Sequence, residues 1–206
     1  MLLVALTAMA ALALPPGAAL PARKSTIQQA GATRPISPTP PATKYETLTS
    51  ERGTLVSTDY HLVRSLDTDT TGTSIQVCAL SVSKPDNDAA DKVGAVTISI
   101  IAGDKVDRGI VDASEAASVS GALDRMLSVA QDERFHPHEL LVTKFISRDG
   151  TIFSTEQTQA SNIGPSNQAS FVTIDGHRLS ITLDTLRAIQ KAIDEASDYL
   201  RDQDAH

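Results

Sequence analysis

The stretch Ser114–Ala130, SEAASVSGALDRMLSVA, and a second one seventy positions later, Asp184–Leu200, DTLRAIQKAIDEASDYL, decide the fold. In the first, Val119, Ala122, Leu123, Met126, Leu127 and Ala130 step by threes and ones. In the second, Leu186, Ile189, Ala192, Ile193, Ala196 and Leu200 do the same. That spacing gathers apolar side chains on one face of a helix with 3.6 residues per turn, and Ser114 and Asp184 stand where N-caps belong. The offset superimposes Val119 on Ile189, Ala122 on Ala192, Leu123 on Ile193 and Ala130 on Leu200. Gly121 interrupts the first helix at a cost of about 1 kcal/mol relative to alanine, which predicts either a close packing contact or a weak helix.

Upstream of each helix the period changes to that of strands. Tyr45–Ser50, Thr54–Arg64, Ser74–Val82, Val93–Ile101 and Val106–Val111 are β-branched runs separated by turn signals such as Asp67 to Gly72 and Ala102-Gly103-Asp104. Before the second helix, Glu139–Ser147, Thr151–Gln159, Ala169–Ile174 and Arg178–Thr182 read as four strands, with turns at Arg148-Asp149-Gly150 and Asp175-Gly176. Ser50–Leu55, SERGTL, resembles Ser147–Ile152, SRDGTI, at an offset of 97, so an extra hairpin is expected in the first unit.

The sequence therefore predicts an α+β fold of antiparallel sheets with two amphipathic helices, the units 45–131 and 138–202 packing about a pseudo-twofold axis. Tandem duplication of a strand-meander-plus-helix unit is one source of this pattern. The other is that any two α+β halves share hairpin turns and a capped helix. Two tandem strand-rich units, each closed by a helix, form an arrangement that resembles that of the plant Whirly single-strand DNA-binding proteins. The resemblance implies a fold plan and not an activity, because the residues that carry it are elements and not a family motif.

Residues 1–22 carry no charge and run apolar from Leu2 to Leu14 before Pro15, Pro16, Gly17 and small residues, the order of a signal peptide; an uncleaved N-terminal anchor is the alternative. Residues 23–44, with Pro35, Pro38, Pro40 and Pro41 and almost nothing apolar, are expected to be a disordered Pro/Thr-rich basic linker. The overall charge of -7 then divides unevenly. The acidic α+β domain, 45–206, holds 14 basic against 25 acidic residues, a net -11. A domain of that sign repels phosphate backbones and anionic membrane surfaces. Seven aromatic residues and no tryptophan leave little for stacking on bases or sugars. No nucleic acid is expected as a partner, and no membrane beyond a possible N-terminal anchor.

Motifs for chemistry are sparse. Asp67, Asp69, Thr71 and Thr73, with Gly72, match the first half of a calcium loop, but position twelve is Cys78 where a bidentate glutamate belongs. A plain turn between two strands explains the same residues. His136 and His138 flank Pro137 and offer two imidazoles to a metal whose other ligands have to come from distant His61 or His177; a linker between the units is the alternative. Cys78 lies in a strand run and is expected to be a small buried hydrophobe. The chain contains no GxSxG, GxxxxGK[ST], GxGxxG or HExxH. No catalytic residue, cofactor or cofactor-binding residue is therefore assigned, and the metal candidates stay at calcium on Asp67, Asp69, Thr71 and Thr73 and a metal on His136 and His138. The expected role is an exported non-catalytic interaction or scaffold protein of the periplasm, cell envelope or extracellular space, with a protein partner or self-association. The alternative is a small hydrolase or other small-molecule enzyme with its site between the two units.

Overall fold

The structure is a computed structural model that describes residues 43–53, 55–85, 92–132, 140–158 and 167–203, all of which belong to one unit, 39–206. A short helix α1, Lys44–Thr49, precedes four strands, β1 (Ser57–Asp67), β2 (Thr73–Ser83), β3 (Val93–Ala102) and β4 (Lys105–Asp112). Helix α2, Ala113–Gln131, follows, then β5 (Leu140–Ile146), β6 (Ile152–Thr158), β7 (Asn167–Ile174), β8 (His177–Ile181) and helix α3, Leu183–Asp202. Each set of four strands is an antiparallel sheet in simple sequence order, and each is closed by a helix, as expected for two similar meander-plus-helix units.

The two helices lie against each other, and each reaches the other unit's sheet. Helix α3 packs on β1, β2 and β3 of the first sheet, while α2 packs on β5 and β6 of the second as well as on β3 and β4. A single core results. Ile75, Val77, Val96, Ile98 and Ile100 from the first sheet meet Phe153, Val172 and Ile174 from the second across Val119, Leu123, Leu186, Ile189 and Ile193. All six apolar positions read on the second helix are buried, and on the first only Ala122 is not fully so. Removing apolar surface of this kind from water, at roughly 25 cal/mol per Å², is what holds the helices down. Strand β3 is buried on both faces: Val96, Ile98 and Ile100 point to the core and Ala95, Thr97 and Ser99 away from it.

Four local expectations are corrected. Tyr45–Ser50 is not a strand, because Thr43 starts a helix there: its hydroxyl accepts from the Glu46 N–H at 3.0 Å and its own N–H donates to Glu46 Oε2 at 2.9 Å, a reciprocal capping box. Thr43 and Lys44, at the end of the expected linker, are therefore part of the fold, Thr43 being buried. No extra hairpin distinguishes the described strands of the units. Ser50–Leu55 precedes β1, whereas Ser147–Ile152 is the β5–β6 turn, and every strand of the first sheet is longer than its counterpart, with 11, 11, 10 and 8 residues against 7, 7, 8 and 5. The helices start earlier than their expected caps. Asp112 occupies the N-cap position of α2 and Thr182 that of α3, where its hydroxyl accepts from the Thr185 N–H at 3.0 Å. Ser114 and Asp184 fall in the first turns instead. Finally, Cys78 is a free, half-buried thiol on the outer face of the first sheet, opposite Thr97, and not a core residue.

Candidate functional site

The residues singled out from the sequence lie in separate places. Asp67 ends β1, and the β1–β2 turn after it is tied by Thr68, whose hydroxyl and N–H both donate to the Thr73 carbonyl, at 2.9 and 3.3 Å. Asp67, Thr71 and Thr73 line one surface hollow, while Asp69 lines another, with Gln168, Ser170, Ser180 and Thr182. His136 and His138 lie outside the described residues. His61 stacks on Tyr199 of α3, centroids 4.1 Å apart and planes 7° from parallel, and so helps seat that helix on β1. His177 stands at the start of β8, beside Asp107 of β4. Among the described residues no three His, Cys, Asp or Glu side chains are placed to hold a metal together.

The seam between the two units carries the charged groups that sequence spacing did not bring together. On β4, Asp107 Oδ2 sits 2.6 Å from His177 Nδ1 and 3.1 Å from Lys105 Nζ. The hydrogen bond from His177, then that from Lys105, holds the Asp107 carboxyl below the usual aspartate range. Three residues along, Asp149 of the β5–β6 turn accepts the Ile110 N–H on β4, at 2.5 Å, together with the Thr151 N–H at 3.0 Å, the Thr151 hydroxyl at 2.9 Å and the Ser147 hydroxyl. The turn comes this close because residue 109 is glycine: a Cβ there would stand 2.1 Å from Thr151 Oγ1.

At the end of β4, buried Asp112 accepts the Lys44 N–H at 3.0 Å and the Tyr45 N–H at 3.4 Å, which docks α1, and it pairs with Arg148 at 3.2 Å. Glu115 accepts the Arg148 N–H at 2.9 Å, and its burial raises its carboxyl above the usual glutamate range despite that bond. Chemically the Asp107–His177 pair resembles the base half of a nucleophilic triad. Yet no hydroxyl or thiol among the described residues hydrogen-bonds to His177, and the remaining contacts satisfy buried polar groups and lock one unit to the other.

The open surface lies elsewhere. Strand β5 is the edge of the second sheet and pairs only with β6 among the described strands. Its residues alternate: Leu141, Thr143 and Phe145 turn inward, and Leu140, Val142, Lys144 and Ile146 turn to solvent. Leu140, Val142 and Ile146 are 59%, 49% and 54% exposed, three of the seven large apolar side chains left so exposed among the described residues. The strand was legible in the sequence as Glu139–Ser147, but its apolar residues do not alternate with polar ones, so which face would be covered was not. Inward of the same edge, a cleft of about 500 Å³ separates β5 from α2. Ala117, Ser118, Gly121, Ala122, Arg125 and Met126 form its helical wall and Thr143, Lys144 and Phe145 its strand wall.

Compared with known proteins, the chain matches no protein-family model, and no curated protein shows significant sequence similarity to it.

Proposed function

We propose that this chain is a non-catalytic interaction module, exported to the periplasm or cell envelope, that holds a protein partner at the open edge of its second sheet. The observation that carries the reading is β5: an edge strand with Leu140, Val142 and Ile146 in a row on its solvent face. Soluble proteins usually blunt such edges with charge, proline or a covering element, because unpaired strand N–H and C=O groups beside apolar side chains recruit another chain. Here a single lysine, Lys144, interrupts the row. Export is supported by the uncharged, apolar Met1–Ala22. The matching positions of Asp112 and Thr182 as helix N-caps, seventy residues apart, support tandem duplication as the origin of the two units.

A photo-crosslinking residue placed at Val142 in the full chain, produced in its native cells, tests the reading. Adducts with a defined envelope protein are expected at Val142 and not at a control position such as Ser128 on the far part of α2. Absence of any adduct across a scan of exposed positions would sink it. Cell fractionation of the same strain checks the export component, and recovery of the full-length chain in the cytosol would count against it. The competing reading, a small-molecule enzyme with its site between the units, draws on the Asp107–His177 pair. It predicts that Asp107→Asn abolishes a hydrolytic activity detectable with broad ester and amide substrates.

A further inference from the structure

We infer that the cleft between α2 and β5 receives an extended, acidic segment of another protein, added as a fifth strand to the second sheet. The inference rests on the interaction-module reading and specifies its partner. A strand laid along β5 would hydrogen-bond to the side of its backbone that no described strand pairs with, and its side chains would alternate between two surroundings. One set would lie beside Leu140, Val142 and Ile146 on the solvent face. The other would drop into the cleft against Ala117, Gly121, Ala122 and Phe145.

Two further observations bear on the occupant. Gly121 lies inside α2 on the cleft wall, where glycine costs about 1 kcal/mol relative to alanine. Its φ is not positive, and a Cβ added there meets nothing within 4 Å, so no contact among the described residues requires the bare backbone. The sequence predicted either a close packing contact or a weak helix at this glycine. The described residues supply no such contact, and an incoming strand would. The second observation is charge. Arg125 on the helical wall of the cleft and Lys144 on the solvent face of β5 are the charged residues that flank the edge, and neither has an ion-pair partner among the described residues, in a domain whose net charge is -11. A local basic pair on an acidic domain selects an acidic complement and disfavours a neutral or basic one.

The same charges argue against a second copy of this chain. Antiparallel pairing of β5 with itself about Thr143 would set Lys144 opposite Val142 of the other copy and crowd two Lys144 and two Arg125 into one seam. The nearest acid on that face, Glu156, is already held by Arg178 at 2.5 Å.

The test is selection from a random dodecapeptide display library against the immobilised full chain, followed by fluorescence anisotropy with the most enriched peptide. Enriched sequences should alternate β-branched residues with Asp or Glu. Binding should weaken about tenfold in an Arg125→Glu/Lys144→Glu variant, whose two sites are exposed and unpaired and so leave the fold intact, and should weaken further with added salt. Gly121→Leu, which fills open space in the cleft, should weaken it comparably, with circular dichroism confirming an unchanged fold. Enrichment of neutral or basic peptides, or binding indifferent to both variants, would overturn the inference. So would a failure to enrich any peptide, or a concentration-dependent dimer by sedimentation that Val142→Lys abolishes. If crosslinks at Val142 persist undiminished in the Arg125→Glu/Lys144→Glu chain, the interaction reading stands and the acidic strand does not.

Discussion

Gly109→Ala probes the seam between the two units more sharply than any other single substitution. Gly109 does not have a positive φ, so alanine fits the local backbone and should even be favoured in a strand by about 0.5 to 1 kcal/mol through lower chain entropy. What it does not fit is the neighbour. Its Cβ would fall 2.1 Å from Thr151 Oγ1, where ordinary contact begins near 3.4 Å, so one side has to give by about 1.3 Å.

Thr151 is 2% exposed, and its hydroxyl donates to Asp149 at 2.9 Å, the same carboxylate that holds the Ile110 N–H. Turning the threonine away leaves a buried hydroxyl without water and disturbs bonds to a charged acceptor, each worth roughly 1.5 to 3 kcal/mol. Overpacking adds a penalty of similar size where the turn moves instead. After the entropic gain the expected loss is about 1 to 3 kcal/mol. For a chain of this length that is a fall in Tm of roughly 3 to 10 °C. Urea unfolding followed by circular dichroism should show a lower midpoint at unchanged slope. The decisive comparison is the double mutant with Thr151→Ala, in which the nearest contact relaxes to a Cβ–Cβ distance of 3.2 Å. In that background Gly109→Ala should cost less than about 0.5 kcal/mol. Equal penalties in both backgrounds, or none in the first, would refute steric docking of the β5–β6 turn on β4.

Gly121→Ala is expected to act in the opposite direction, raising stability by about 1 kcal/mol in thermal unfolding, because its site is helical and open. Asp112→Ala should cost about 3 kcal/mol and release α1, seen as faster amide exchange across Lys44–Thr49 with the strands still protected. The pH dependences of Asp107 and Glu115 have opposite signs. The lowered carboxyl of Asp107 adds stability above the ordinary aspartate range, and that contribution disappears as pH falls through its depressed value, so Asp107→Asn should destabilise at neutral pH and converge with wild type in acid. The raised carboxyl of Glu115 disfavours folding once ionised, so Glu115→Gln should stabilise at neutral pH and become neutral below the ordinary glutamate range. Urea titrations at the two ends of the pH range check both.

Periodicity explains what the sequence made visible. The apolar steps in Ala113–Gln131 and Leu183–Asp202, and the β-branched runs of β2, β3 and β4, are local patterns whose burial needs only one partner face. Tyr45–Ser50 misled because β-branched and aromatic residues suggest a strand, although Thr43 and Glu46 already spelled a capping box. Asp112 then fixes the helix from 68 residues away, a contact no window reveals. The false match of Ser50–Leu55 to Ser147–Ile152 arose because a Gly-Thr turn signature is common, and the true counterpart of the β5–β6 turn is the β1–β2 turn. The seam pairs, Asp107–His177 and Asp149–Ile110, join positions 70 and 39 residues apart and belong to tertiary geometry alone. The open edge was half visible: the run Glu139–Ser147 marked β5 as a strand, but only its position at the sheet margin leaves an apolar face uncovered.

The exchange of helices between units has a consequence for how the chain is born. The inner face of the first sheet, with Ile75, Val77 and Ala79, is roofed largely by Leu183–Asp202, which follows it only after α2 and the whole second sheet. The first meander would therefore wait, greasy side open, until α3 has been made, and contacts so distant in sequence make for slow closure.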